Sequence, residues 1–519
     1  MIEGRTYNSI RNSGMAALAQ IISVVLNFIS RTFFIKLLNI EYLGVNGLFS
    51  NIISLLSLAE LGIGTSIVYM MYSPIAKGNI DKVAAFNNLF KKVYTIIGIL
   101  IFVLGLIILP FLPYIIKDIP NIEENLVIIY ILFLMNTTVS YFFTYKRSLL
   151  IAHQKEYLNS KNIIYFTIIK DIAFIVILLL TRDYYFYLVV QIVVTLLSNW
   201  SISKVADKEF PHIVNNAGCA ITKEEKNCLV KNTMGLVCHK FGSVVVSGTD
   251  NILISMFVGI GAVGIFSNYK MIQAVAQKIV GQAVNSITAS VGNLAALEDC
   301  NRVYAVFKKI YFLNFTLSFF ISILFYALVD SFISLWIGKE YLLDRVCVFL
   351  ISLNLFFYQI RVPSQVVINS YGVFWQIKWK SIIEAVINLV ASLFFVYHLN
   401  FGVKGILLGT IVSTVCTNLW WEPYGAIHYG MKRSMKEYLL FFLYNVFSLI
   451  VSFFVVYFIK ELIIMRLDNI IFSFFVQTFS AIIICIIMFI VFYCKNSEFH
   501  YLLNTIKKIA FSKARFMRR

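Results

Sequence analysis

Arg31-Thr-Phe-Phe-Ile-Lys36, Tyr42-Leu-Gly44 and Gly47-Leu-Phe-Ser-Asn51 form the stretch that the rest of the chain repeats. A second version follows about 217 residues later, as Asp250-Asn251-Ile-Leu-Ile254 and Gly264-Ile-Phe-Ser-Asn268. Two further echoes keep an offset of about 219 residues. Ile192-Val-Val-Thr-Leu-Leu-Ser-Asn199 matches Ile411-Val-Ser-Thr-Val-Cys-Thr-Asn418, and Lys161-Asn-Ile-Ile164 matches Lys380-Ser-Ile-Ile383. The chain reads as two copies of one unit, with a segment added after the second.

The 519 residues are 60% hydrophobic, with a mean hydropathy of +0.82. A soluble domain of that composition could not cover its surface with polar atoms. Apolar runs of about 20 residues, enough to cross the hydrocarbon as helix, recur along the whole length. The expected fold is an all-α integral membrane protein of fourteen spans. The net charge of +18 invites a nucleic-acid reading, but the basic residues lie in loops between spans, so no nucleic-acid partner is expected. Eight scattered cysteines contain no CxxC pair, and Cys219 and Cys228 near His212 and His239 lack zinc-site spacing. No metal site follows. The N-terminal apolar run is too long for a signal peptide and reads as the first retained span.

Residues 1–203 form a first lobe of six spans and 204–233 a cytoplasmic linker with five lysines. Residues 234–430 form a second lobe of six, 431–494 two further spans, and 495–519 a basic cytoplasmic tail. The termini and the loops after even-numbered spans carry about 30 Lys and Arg, against about 8 in the other loops. That asymmetry puts both termini in the cytoplasm. An even-numbered unit must enter the membrane twice from one side, so the repeat is parallel. The linker is either a hinge between the lobes or a plain connector.

Charges at membrane depth narrow the function. Arg31, Lys170, Lys240, Lys270, Lys278 and Arg361 fall inside expected spans, with Glu60, Asp171, Asp250 and Glu384. Facing lipid, each costs about 3 kcal/mol. A hydrated, net-positive cavity between the lobes would accommodate them. Glu60, Lys170, Lys278 and Arg361 lie near span centres; Glu384 and Lys240 lie nearer the ends. Arg31 and Asp250 occupy matching positions of the two copies and suggest a gate pair. Lys170 and Asp171, about 100° apart on a helix, are not expected to pair. Gln20, Ser23 and Asn27 continue toward Arg31 at helical spacing, suiting either sugar hydroxyls or contacts between helices. Gly62, Gly64 and Pro363 are expected to break the second and tenth spans.

Tyr42-Leu-Gly-Val-Asn-Gly-Leu-Phe-Ser-Asn-Ile52 with Ala59-Glu-Leu-Gly-Ile-Gly64 resembles the second span of bacterial polysaccharide-export flippases. Thr249-Asp-Asn-Ile-Leu-Ile254 with Phe257-Val-Gly259 is similar to their seventh. Arg361 with Pro363, and Gly372 to Lys380, are similar to their tenth span and the loop after it. These flippases belong to the multidrug/oligosaccharidyl-lipid/polysaccharide (MOP) exporter superfamily. The resemblance implies a MATE-like V of two six-helix lobes. It implies movement of an undecaprenyl-diphosphate-linked oligosaccharide to the outer leaflet of the bacterial inner membrane, for lipopolysaccharide or capsule assembly.

On that reading Arg31, Lys170, Lys278, Arg361, Lys270, Gln20 and Asn27 bind substrate. Glu60, Asp250 and Glu384 serve as a gate or bind a coupling H⁺ or Na⁺, with no other cofactor. Lipid-linked oligosaccharide, membrane lipid and a polysaccharide polymerase are the expected partners. The alternatives are a multidrug/cation antiporter of the same fold, which would want an acidic cavity, and a membrane polymerase or ligase, which would need a long outer loop.

Overall fold

The computed structural model describes residues 2–504 and 507, apart from 61, 215, 217, 298, 299, 372, 374, 375, 467 and 468. Among these residues there is helix and no strand. The main helices are α1 (Ile2–Leu37), α2 (Ile40–Leu56), α3 (Ile63–Ala76), α4 (Ile80–Ile108), α5 (Leu126–Ala152), α6 (Glu156–Thr181) and α7 (Tyr184–Glu209). They continue with α8 (Lys223–Phe257), α9 (Ile260–Leu297), α10 (Cys300–Trp336), α11 (Arg345–Ile360), α12 (Val362–Tyr371) and α13 (Lys380–Leu393). The last are α14 (Val403–Ser413), α15 (Leu419–Tyr424), α16 (Lys436–Arg466) and α17 (Ile470–Tyr493).

Eleven of the described helical segments are long and apolar enough to cross a membrane. The chain is a multi-pass membrane protein. Short polar residues stop and restart it. Asn39, Asn79, Asn125, Asp183 and Asn469 each accept hydrogen bonds from the first amides of the following helix. Thr222 and Glu225 form a reciprocal capping box on α8. An uncapped amide near hydrocarbon would have no water to turn to.

The expected breaks are present. Gly62 caps α3 at φ +77°, a left-handed conformation that favours glycine. The tenth span divides at Arg361, just ahead of Pro363, into α11 and α12. Three π-helical turns, at Phe394–His398, Thr414–Asn418 and Gly425–Gly430, interrupt the eleventh and twelfth spans. Nothing in the composition of those turns announces them.

Contacts divide the chain into Met1–Gly264 and Ile265–Arg519. In the first unit α1 packs on α6, α5 on α4 and α7, and α8 on α2. Phe49 sits edge-on to Tyr130 and Phe133. The first turns of α2 and α9 touch reciprocally. A Cβ on Gly44 would lie 2.1 Å from the Ile260 carbonyl oxygen, and one on Gly264 2.5 Å from that of Ile40. Each glycine is the fifth residue of its helix, so the repeated sequence marks a close approach of two backbones.

The ends of this unit differ in charge. One end gathers Arg11 over the Tyr157 ring, Asn12 bonded to Gln154 and Tyr157, the Lys155–Glu209 pair, and Lys77 and Lys82. The other gathers Glu124, which accepts from the Tyr42 hydroxyl and the Tyr184 amide, with Glu41 and Asp183.

The second unit is built around α10, which packs on α11, α16 and α17. Phe312, Phe315 and Phe319 meet Phe489 of α17, and Phe312 and Phe315 also meet Tyr493. The Tyr493 hydroxyl donates to Asn445 Oδ1 at 2.8 Å and lies 2.7 Å from Ser448 Oγ. Stacked rings and small residues with satisfied hydroxyls are what dry helix packing requires.

Candidate functional site

The second unit holds a buried charge network that the sequence did not announce. Arg361, at the α11–α12 break, donates from Nη2 to Glu422 Oε1 at 2.7 Å and from Nε to Oε2 at 2.9 Å. Lys380, the first residue of α13, lies 2.8 Å from the same Oε1 and 3.2 Å from Glu384 Oε2. Asn418 Nδ2 also donates to Glu384, and Gln365 Nε2 reaches Glu422 at 3.4 Å. Glu422 side-chain exposure is only 2%. Two bases and two acids thus cancel in a site closed to bulk water.

Arg361, expected to bind substrate, is here paired with an acid not singled out from the sequence. Its charge is engaged by a carboxylate in fork-to-fork geometry. Glu384 is also engaged, by the Lys380 ammonium and the Asn418 amide. Glu422 was missed because it lies at the end of its span, in Trp420-Trp421-Glu422-Pro423, where a charge reads as interfacial. Lys380 was missed as a loop residue. A second pair, Lys460 with Asp330 at 3.0 Å, joins the Tyr269 hydroxyl, which donates to Asp330 at 2.9 Å.

In the first unit Glu60 ends the short 3₁₀ turn before the Gly62 break. The Tyr94 hydroxyl donates to Glu60 Oε1, and the Tyr141 hydroxyl also bonds to the carboxylate. Gly64 explains the rest of the Ala59-Glu-Leu-Gly-Ile-Gly64 motif. A Cβ there would stand 2.1 Å from the Tyr94 hydroxyl. One glycine turns the chain and the other leaves room for the phenol that holds the acid.

Arg31 of α1 is half-buried beside Tyr187 of α7, which also faces Asp171. Ser30 and Lys170 both engage Asp171. Lys170 and Asp171 therefore do interact, at 3.7 Å, contrary to the helical-wheel expectation. The lysine stem is long enough to fold back across the angle between adjacent residues. Asp250 is buried on α8, and Asn251 beside it donates to Gly47 O at 3.4 Å. Gln20 and Asn27 are exposed on α1. Lys278 is exposed on α9, and Lys270 lies 5.1 Å from the Phe266 ring centre. The side chains of Cys228, His239 and Lys240, residues 372, 374 and 375, and most of the expected tail lie outside the described residues.

Solved structures share this helical fold. "Lipid II flippase MurJ, inward closed conformation" is similar, with a TM-score of 0.65 and 15% identity, over 92% of this chain and 98% of that one. An inward-facing multidrug resistance MATE family transporter of the MOP superfamily has a TM-score of 0.65 and 12% identity, over 80% and 99%. A MOP superfamily transporter from Pyrococcus furiosus, reported with reversed binding-pocket polarity, has a TM-score of 0.54 and 10% identity, over 83% and 97%. The fold is that of the MOP superfamily transporters. No curated protein sequence matches the chain. The polysaccharide biosynthesis protein family model matches residues 9–288, and the chain belongs to that family.

Proposed function

We propose that the protein moves an undecaprenyl-diphosphate-linked oligosaccharide from the inner to the outer leaflet of a bacterial cell membrane by alternating access. The observation that carries this reading is membership of a polysaccharide biosynthesis family by a chain with a MOP transporter fold. Charge physics supports it. A diphosphate does not cross hydrocarbon unaided, and basic groups along a hydrated path offset its charge. Exposed Lys278 is the first choice for that role. Arg361 and Lys380 hold the site together through Glu422 instead. The basic end of the first unit faces the cytoplasm on this reading, with both termini. Glu60 and Asp250 remain the acids proposed to bind a coupling H⁺ or Na⁺, and a polysaccharide polymerase is the proposed partner.

The test is transfer of lipid-linked oligosaccharide across proteoliposomes containing the purified protein. Protection of the glycan from an external glycosidase reports the movement. Lys278→Ala is expected to lower transfer by about tenfold with normal membrane insertion. Likeness to a multidrug transporter at the same TM-score of 0.65, over 80% of this chain, favours a second reading, export of organic cations. Cation efflux without glycan transfer would establish that reading in place of the first.

A further inference from the structure

The α3–α4 turn in the first unit borders a cavity of about 620 Å³. Tyr69 and Tyr72 of α3 line it with exposed rings, 65% and 46% accessible, their centroids 6.4 Å apart and nearly perpendicular. Ser73, Lys77, Lys82 and Glu225 supply the polar lining. Tyrosines beside lysines at the end of a span suit a membrane–water boundary, and here they also line a cavity with polar groups on its wall, the combination a small polar ligand needs.

The back of the cavity is built by the linker. Asn216 Nδ2 donates to Asp81 Oδ1 at 2.7 Å, the Cys219 amide donates to Asp81 O at 3.3 Å, and Lys82 Nζ is 2.7 Å from Glu225 Oε2. Gly218 takes φ +77°, and a Cβ there would lie 2.5 Å from the Ala85 amide nitrogen. The linker is thus strapped to the start of α4, and Cys219 reaches the cavity wall.

We propose that this cavity is a carbohydrate subsite, in which Tyr69 and Tyr72 present ring faces to the apolar faces of sugar rings and Lys77 donates to sugar hydroxyls. The inference rests on the flippase reading, since it gives the glycan a resting place at the basic, cytoplasmic end before transport. Rings set at right angles receive two sugars that are not coplanar, as in a bent oligosaccharide. Two aromatic contacts with an added donor suit selective but releasable binding.

The experiment uses the full chain in nanodiscs and two probes: the oligosaccharide released from the cell's own lipid-linked intermediates, and sugar-free undecaprenyl diphosphate. The Tyr69→Ala/Tyr72→Ala pair is expected to weaken oligosaccharide binding about tenfold and to leave diphosphate binding unchanged. The Tyr69→Phe/Tyr72→Phe pair keeps the rings and retains the affinity. In a variant whose only cysteine is Cys219, the oligosaccharide slows maleimide labelling. Unchanged oligosaccharide affinity in the alanine pair, absence of binding to the parent protein, or undiminished Cys219 labelling would each overturn the subsite. If the parent protein moves lipid-linked oligosaccharide while any of these holds, the subsite alone fails. If it moves none, the flippase reading fails.

Discussion

The Arg361–Glu422–Lys380–Glu384 network shows how a charge is tolerated away from water: every member meets an opposite one. Its stability consequence is asymmetric. Removing one partner strands the others, at a cost of about 3–5 kcal/mol. Glu422→Ala leaves Arg361 without its acid and Lys380 with Glu384 alone, and is expected to lower thermal stability in detergent more than Arg361→Ala, which leaves Lys380 on both acids. Replacing Arg361 and Glu422 together by Met and Leu should recover most of the loss. Gly64→Ala makes a sharper case, since its new methyl collides with the Tyr94 hydroxyl. It should cost about 1–3 kcal/mol, and Tyr94→Phe should relieve part of that cost. At this scale the sequence was half legible. The acids and bases at depth could be counted, and Glu60 beside its glycines stood out. Which base met which acid depended on helix registers that no local pattern encodes, and Glu422 was hidden by its place near a span end.

Helices were the most legible level, because the apolar runs and their polar caps are written residue by residue. Each of the fourteen expected spans coincides with helix, and the breaks at Gly62 and Pro363 follow from local backbone chemistry. Contacts between helices were less legible. Gly44→Ala is expected to destabilise the start of α2 by about 1–3 kcal/mol in a thermal melt, because its neighbour is a backbone oxygen and cannot swing aside. The linker, expected as a hinge or a plain connector, is strapped to α4. Partial burial tends to raise the Glu225 carboxyl pKa, but bonds from Lys82 and Thr222 hold it below the usual carboxylate value of 4.5. A lowered acid stabilises the docked linker above that value and loses the effect as pH falls through the folded value. Glu225→Gln should therefore speed amide exchange across 216–222 at pH 7. That difference from the parent should vanish in acid below the folded value.

At the scale of the whole chain, internal repetition carried the most information. Asn199 and Asn418, matched by the echo, both bind charged partners: Arg147 donates to the first, and the second donates to Glu384. Corresponding positions keep a polar task while the chemistry diverges. A transporter with Lys380 already seated on Glu384 is expected to draw ion dependence from the first unit. Glu60→Gln should abolish any response of transfer to an imposed proton or sodium gradient, and Glu384→Gln should leave that response in place while lowering thermal stability. Transfer rates in proteoliposomes with each gradient check both outcomes.

The π-helical turn at Thr414–Asn418 gives chain length a chemical meaning. Deleting Val415, an exposed residue within it, would restore ordinary winding and leave everything downstream facing much as before, because a π turn absorbs one extra residue without advancing the helix register. Glu422 would stay opposite Arg361 and Lys380, whereas the same deletion in the regular helix at Leu419–Tyr424, ahead of Glu422, would swing it about 100° away. Among descendants of a common ancestor, a one-residue gap is therefore harmless to the acid when it falls in this turn, and between the turn and Glu422 it obliges a lineage to move its acid by a residue or surrender the basic pair.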